Sequence, residues 1–168
     1  MPALPPALRL RQSGSRDAVI ERRYYLNVPP NEAWTALVAD ENAPRLYPEL
    51  ILGPAESTWP AAGSSRLARL SVGLLREPVL LESLEARPGV SFRFRIVGLD
   101  VIGELGWALE PLAGGARIVH TALLVPGDRW AAALTRMTRR SPGERVEDHL
   151  VALKHIVESS REGSAAGS

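Results

Sequence analysis

Cysteine is absent from this 168-residue chain, which excludes disulfides, thiolate metal ligands and a cysteine nucleophile. Long apolar runs are missing too. Stretches such as Trp130–Leu134 fall far short of the roughly 20 residues that a membrane-spanning helix requires. An excess of one charge is also lacking: 20 basic residues face 19 acidic ones, for a net charge of +1. That balance argues against a surface that tracks nucleic-acid phosphates. Lys154 is the only lysine among the 20 basic residues, a bias we assign to a GC-rich coding sequence. No Gly-rich phosphate loop is present, since Gly114-Gly115 sits between two strand patterns and does not lead into a helix. There is no His-Glu-x-x-His and no Gly-x-Ser-x-Gly, and the 3 histidines are scattered. Neither a metal nor a nucleotide cofactor is expected.

What is present is ordinary for a globular protein, with 45% hydrophobic and 23% charged residues. The length suits one domain that buries about two-thirds of its unfolded surface. Residues 1–16 begin like a leader, but Pro2, Pro5 and Pro6 interrupt the roughly 7–15-residue apolar core that a signal peptide needs. The expectation is a disordered arm over 1–16, a domain over 17–161 and a flexible tail over 162–168, in a cytoplasmic protein.

Ala18–Val28 is rich in β-branched and aromatic residues and stops at Pro29-Pro30, so it reads as a strand. Pro30 then opens a helix carrying Trp34, Leu37, Val38 and Glu41 on one face, with Trp34 assigned to packing. A short helix or turn over Ala43–Tyr47 ends at Pro48. Six strands follow, at Leu50–Thr58, Ser65–Leu74, Val79–Ala86, Val90–Val97, Val101–Glu110 and Ala116–Val125. The breaks between them include Arg76-Glu77-Pro78 and a type II turn at Arg87-Pro88-Gly89-Val90. Strands joined by such short turns are antiparallel neighbours. Helical spacing returns with Trp130, Ala133, Leu134 and Met137. Ser141-Pro142-Gly143-Glu144 then has capping-box spacing, ahead of a stripe of Val146, Leu150, Leu153 and Val157. Arg136, Arg139 and Arg140 suit the end of a helical turn, where cations complement the dipole. The pattern predicts an α+β, helix-grip fold. A curved seven-stranded antiparallel sheet wraps around a long C-terminal helix, with two short helices after the first strand.

Over residues 17–160 this order resembles the START-like or Bet v 1-like superfamily (SRPBCC), which includes bacterial polyketide cyclase/dehydrase and lipid-transport proteins. The residues that carry the resemblance are Asn27-Val28-Pro29-Pro30-Asn31-Glu32-Ala33-Trp34 with Val38-Ala39-Asp40, the aromatic-Pro pair Tyr47-Pro48, and the late hairpin Gly103–His120. The resemblance implies a cavity between sheet and final helix that holds a hydrophobic small molecule such as a lipid, isoprenoid or polyketide. The alternative it admits is a polyketide cyclase, and a third reading is a quinone-binding partner of a respiratory complex. Where the cyclases carry Trp-Pro this chain has Tyr47-Pro48, and Arg66 and Arg69 are the candidates for their cavity arginine. A monomer or homodimer is expected, with no nucleic-acid partner and no stable membrane insertion.

Strand alternation names the side chains that would line such a cavity. Phe92, Phe94 and Ile96 face in, as do Val101, Leu105, Trp107 and Leu109, then Ile118, His120, Ala122 and Leu124. Ile20, Tyr24, Leu26 and Val28 share the apolar side of the first strand. Arg66 shares a face with Ala68 and Leu70, and Glu82 with Leu80 and Leu84. Buried charges require partners, so one reading is an Arg66–Glu82 pair facing the ligand; the other places these strand ends in solvent or shifts the parity by a bulge. His120 is either a general acid–base group or a core histidine bonded to a carbonyl or water. Glu82 and Tyr24 are the other candidate proton donors. The candidate ligand contacts are Tyr24, Tyr47, Arg66, Phe92, Phe94, Trp107, His120, Trp130, His149 and Leu153, enclosing several hundred Å³. His155 falls on the solvent side of the last helix.

Overall fold

The computed structural model describes residues 18–137 and 142–165. The chain leaves its first strand, β1 (Ala18–Leu26), through Pro29, whose extended backbone precedes α1 (Pro30–Val38). Pro30 stands in the first turn of α1, where a missing N–H leaves no bond unmade. A single 3-10 turn (Asp40–Asn42) leads into α2 (Ala43–Leu46). A meander then runs through β2 (Leu50–Ala55), β3 (Ser65–Val72), β4 (Leu75–Arg87), β5 (Ser91–Val97), β6 (Val101–Leu112) and β7 (Gly115–Pro126). Helices α3 (Asp128–Met137) and α4 (Pro142–Ala165) follow. The seven strands form one antiparallel sheet in the order β1-β7-β6-β5-β4-β3-β2. This is the helix-grip α+β arrangement that the sequence predicts.

Two turns show how the meander is set. At Arg87–Val90 the Val90 N–H donates to the Arg87 carbonyl at 2.9 Å and Gly89 adopts φ 69°, as a type II turn requires. The expected break at Arg76-Glu77-Pro78 is not a turn. Gly73, at φ 59°, turns the chain instead, and Pro78 continues in β4 opposite Arg69. A proline signal was outweighed by a left-handed backbone that glycine takes without strain. Helix α4 runs on to Ala165, past the expected start of the tail at Glu162. The arm over 1–16, the Arg139-Arg140 pair, the cap at Ser141 and the last residues of the tail lie outside the described residues.

The core lies between the inner face of the sheet and the helices. Val146, Leu150, Leu153 and Val157 of α4 are all buried, with Leu153 fully so, together with Phe92, Phe94, Ile96, Trp107, Leu109 and Ile118 from the strands. The outer face carries paired charges, Arg95–Glu82 at 3.9 Å and Arg117–Glu110 directly opposite in the ladder and Arg93–Glu104 at 3.4 Å on the diagonal. At one end Glu77 is buried and accepts from the Trp130 indole at 2.5 Å and from the Asp100 backbone N–H at 2.9 Å. Asp100 in turn accepts from the backbone N–H groups of Arg129 (3.1 Å) and Trp130 (3.3 Å), capping α3 from a distant turn. Burial would raise the Glu77 carboxyl, but these hydrogen bonds outweigh it and hold the group below its ordinary range. Two hairpin ends and a helix start are thereby tied together. Among the described residues no helix is long and apolar enough to cross a membrane.

The stripe on α4 has a direct test. Leu153→Asp should cost more than about 4 kcal/mol, because it places an unpaired charge against the sheet. The neighbouring Lys154 is substantially exposed, pairs with Glu158 at 3.8 Å and lies 5.9 Å from the Tyr24 ring. Lys154→Asp should therefore stay within about 1 kcal/mol. Urea denaturation of the two variants checks the difference, and similar midpoints would show that the stripe is misassigned.

Candidate functional site

Three inward positions on β5–β7 and one on α4 meet two residues at the α2–β2 corner. Trp107 projects from β6 and its indole N–H donates to the Tyr47 hydroxyl at 2.8 Å. His120, opposite it on β7, stacks flat on the Trp107 ring, with centroids 3.6 Å apart and planes within 8°. His149 comes down from α4 and reaches His120, Nδ1 to Nε2, at 3.0 Å. Its Nε2 lies 3.0 Å from Glu49 Oε1. Tyr47 then closes the group edge-on against Phe94 (5.5 Å) and His149 (5.4 Å).

Hydrogen-bond directions follow from what each atom is able to do. The Gly106 carbonyl, 2.8 Å from His120 Nδ1, only accepts, so Nδ1 carries the proton and Nε2 is left as an acceptor. His149 therefore donates from Nδ1 to His120. An ionised Glu49 accepts from His149 Nε2, so His149 donates from both ring nitrogens, as only the imidazolium form does. The chain runs from the Gly106 carbonyl through two imidazoles to a carboxylate at the domain's edge. Burial pushes the His120 imidazole down to about 3; the charge of His149 adds to this, and the Gly106 bond opposes it. Burial alone would raise Glu49, but the His149 hydrogen bond and charge, with Arg145 beyond, bring its carboxyl below the ordinary value. Burial likewise pushes the Tyr47 phenol up, so it remains a neutral hydroxyl.

Next to this cluster is a cavity of about 20 Å³, lined by Leu37, Val38, Ala43, Tyr47, Leu50, Leu52, Leu81, Phe92 and Phe94, with Asp40 and Trp59 at its rim. It is about the size of one water molecule. The expected lining residues Phe92, Phe94, Trp107, His120, Leu150 and Leu153 are buried as the alternation requires. Of these only Phe92 and Phe94 line the cavity, and its volume is far below the several hundred Å³ expected. The Tyr47 ring, and the Trp59 ring packed edge-on at 6.2 Å from Phe92, occupy the room.

The predicted residues separate into those that converge and those that do not. Tyr47, Phe92, Phe94, Trp107, His120 and His149 form one connected group, with Leu153 in the stripe above. Arg66 is buried on the inner face, but its partner is Asp40 at 2.6 Å, with the Gly53 carbonyl accepting a second bond and the Trp59 ring 5.4 Å away. The expected Arg66–Glu82 pair does not form. Arg66 lies opposite Leu81 in the ladder, and Glu82, one residue on, points outward to Arg95. The parity of β4 was misread because Val79, Leu80 and Leu81 are all apolar; Glu77, Val79, Leu81 and Ser83 are the buried set. Glu82 is thus not a cavity proton donor. Tyr24 is half-buried on β1 beneath Lys154, 5.9 Å from its ring, and Trp130 belongs to the Glu77 lock at the end of the sheet. His155 is exposed. Both ring nitrogens of His120 are engaged within the protein, so the histidine is bonded to a carbonyl as its second reading held. Glu49, Asp40 and Trp59 were missed. They sit at corners and in a loop, where strand alternation gives no signal. Among the described residues no cluster of three or more His, Asp or Glu is placed to hold a metal ion.

No protein-family model matches the chain, and no curated protein matches it in sequence. Its fold is similar to solved structures. Protein CV1439 from Chromobacterium violaceum aligns at a TM-score of 0.63 and 17% identity, over 83% of this chain and 96% of that one. TTHA0849 from Thermus thermophilus aligns at 0.64 and 18% identity, over 85% and 99%. Ara h 8.0201 aligns at 0.57 and 16% identity, over 85% and 99%. The fold is accordingly the Bet v 1-like helix grip.

The buried imidazole has a measurable consequence. His120 titrates near 6.5 when unfolded and at about 3 when folded, so below pH 6.5 only the unfolded chain takes up its proton. Stability should be complete above about pH 6.5 and fall on acidification by about 1.4 kcal/mol per pH unit toward the folded value. The lowered Glu49 carboxyl adds loss in the same direction below its ordinary range. Urea titrations from pH 7 to 5 should show this slope in the wild type and a flatter one in His120→Gln. Equal slopes would mean that His120 is not held neutral.

Proposed function

We propose that this protein binds a hydrophobic small molecule between its sheet and helices, with access between the Asp40–Asn42 turn and the loop that carries Trp59. The observation that carries this reading is the apolar, aromatic-walled cavity beside Tyr47, whose rim is formed by Trp59 and Asp40. A ligand of ordinary size needs roughly 300–1,000 Å³, so the aromatic plug must move for it to enter. Trp59 is half-buried, between β2 and β3, and connecting segments shift more readily than strands. Its ring contacts with Phe92 and Arg66 are each worth about 0.5–1.5 kcal/mol. Burying an apolar ligand surface at about 25 cal/mol per Å² exceeds that cost once a hundred or so Å² are covered. Asp40 spans from the turn after α1 to Arg66 on β3, so the same movement lengthens an ion pair that is half in solvent.

Native mass spectrometry of protein purified without detergent would reveal a retained ligand. A neutral fluorescent apolar probe, Nile red, should bind once per chain with a micromolar dissociation constant, about −8 kcal/mol. Trp59→Ala should raise its association rate at least tenfold by removing the plug. Absence of saturable binding to either protein would overturn the reading.

A further inference from the structure

Tyr47 is the one polar side chain of the cluster whose hydrogen-bonding capacity is half spent. Its oxygen accepts the Trp107 indole N–H at 2.8 Å, while its own proton has no acceptor among the described residues. The residue is buried, and its ring stands in the wall of the 20 Å³ cavity. A buried donor without an acceptor is unfavourable by about 1–3 kcal/mol, so such groups are normally satisfied by protein, water or ligand. The cavity walls from the sheet are Leu50, Leu52, Leu81, Phe92 and Phe94, which offer no side-chain acceptor, and the lining carboxylate, Asp40, is paired with Arg66 and makes no hydrogen bond to Tyr47. The volume suits one oxygen atom.

The surroundings specify the chemistry of that oxygen. Trp107 is itself clamped: its ring is stacked on His120, which is fixed by Gly106 and His149. The indole N–H therefore points at the Tyr47 oxygen from a fixed position. A hydroxyl that accepts a hydrogen bond becomes a better donor, because the two bonds polarise one another. Burial also keeps the phenol protonated. The remaining wall is aromatic and apolar, with Phe94 edge-on to Tyr47 and Phe92 beside it at 5.5 Å. A carboxylate would enter this wall with its charge uncompensated, since none of the lining side chains is cationic; the nearby Arg66 guanidinium, outside the lining, is bonded to Asp40 and the Gly53 carbonyl and keeps only its Nε–H unpaired. A neutral acceptor faces no such penalty.

Resting on the binding reading above, we infer that Tyr47 is a ligand-recognising donor, and that the ligand is a flat apolar molecule bearing a neutral carbonyl oxygen, which completes a Trp107 → Tyr47 → C=O chain. A site with a fixed donor should reject the analogue that lacks the oxygen, because the donor is then left unpaired.

The test compares 2-acetonaphthone with 2-isopropylnaphthalene, which matches its shape but has no acceptor, on wild type and Tyr47→Phe. The wild type should bind the ketone at least tenfold more tightly, about 1.4 kcal/mol. Tyr47→Phe should bind both alike, at the wild-type affinity for the hydrocarbon. Equal wild-type affinities, or a preference that persists in Tyr47→Phe, overturns the inference and leaves apolar binding standing. Failure of both compounds to bind the wild type overturns the binding reading and this inference together. A second measurement does not depend on the variant's folding. The C=O stretching band of the ketone should move to lower frequency on binding to the wild type, and an unshifted band counts against the hydrogen bond.

Discussion

An imidazole can be placed inside a protein only if both of its nitrogens are met, and in this molecule that requirement joins the sheet to its helix. His120 has the Gly106 carbonyl on one side and needs a donor on the other. The donor is His149, which must stand at the right height and rotation on α4 to reach it. His149 in turn needs an acceptor, and Glu49 supplies it from the corner before β2. Apolar burial alone leaves a helix free to slide or turn over a sheet at little cost, since methyl groups have no direction. The imidazole pair removes that freedom. It sets which residues of α4 face the sheet, and so which stripe is buried. It also fixes the Trp107 ring that stacks on His120, and through it the position of Tyr47.

The same core is divided into a rigid part and a seam. On the rigid side, hydrogen bonds, a stacked ring pair and continuous strand pairing from β5 to β7 hold the side chains of the cluster. The seam runs between the turn after α1 and the β2–β3 connection, where closure rests on one tryptophan and one ion pair that is partly in water. Strong fixed contacts on one side of a cavity and weak ones on the other suit a site that orients what it admits. The lock of Glu77, Trp130 and Asp100 closes the opposite arrangement, at the end of the sheet where α3 begins. There the buried carboxylate is fully engaged.

The fold was legible because its signals were local and repeated. Pro29-Pro30 marks the first corner, Pro88-Gly89 a hairpin, and the stripe from Val146 to Val157 the final helix. Alternation named the inner faces of β5, β6 and β7 correctly, since Arg93 and Arg95, Glu104 and Glu110, and Arg117 stand between their apolar neighbours and fix the parity. It failed on β4, where three consecutive apolar residues erase the pattern and Pro78 imitates a turn. The candidate site was legible only by its members. His120 and Trp107 could be placed on one face, but the bond from His120 to His149 spans 29 positions and that from His149 to Glu49 spans 100. Spacing within an element carries no information about contacts at such separations. Glu49 and Trp59 lie between elements and Asp40 opens a single 3-10 turn, where neither the α-helical nor the strand period applies.

The strand order has a consequence for how the molecule comes into being. Among the described residues β1 is the first strand and its partner in the sheet is β7 alone, with Ala18 opposite Leu124 and Leu26 opposite Ala116. The meander from β2 to β7 is assembled from hairpins that close over short loops. β1 must instead wait until the last strand exists, and its pairing closes a loop of most of the domain, at an entropic cost that grows with the logarithm of loop length. During synthesis the inner face of β1, with Tyr24 and Leu26, therefore stays uncovered until Pro126 has left the ribosome. That interval is when the protein is most open to mispairing and to chaperones.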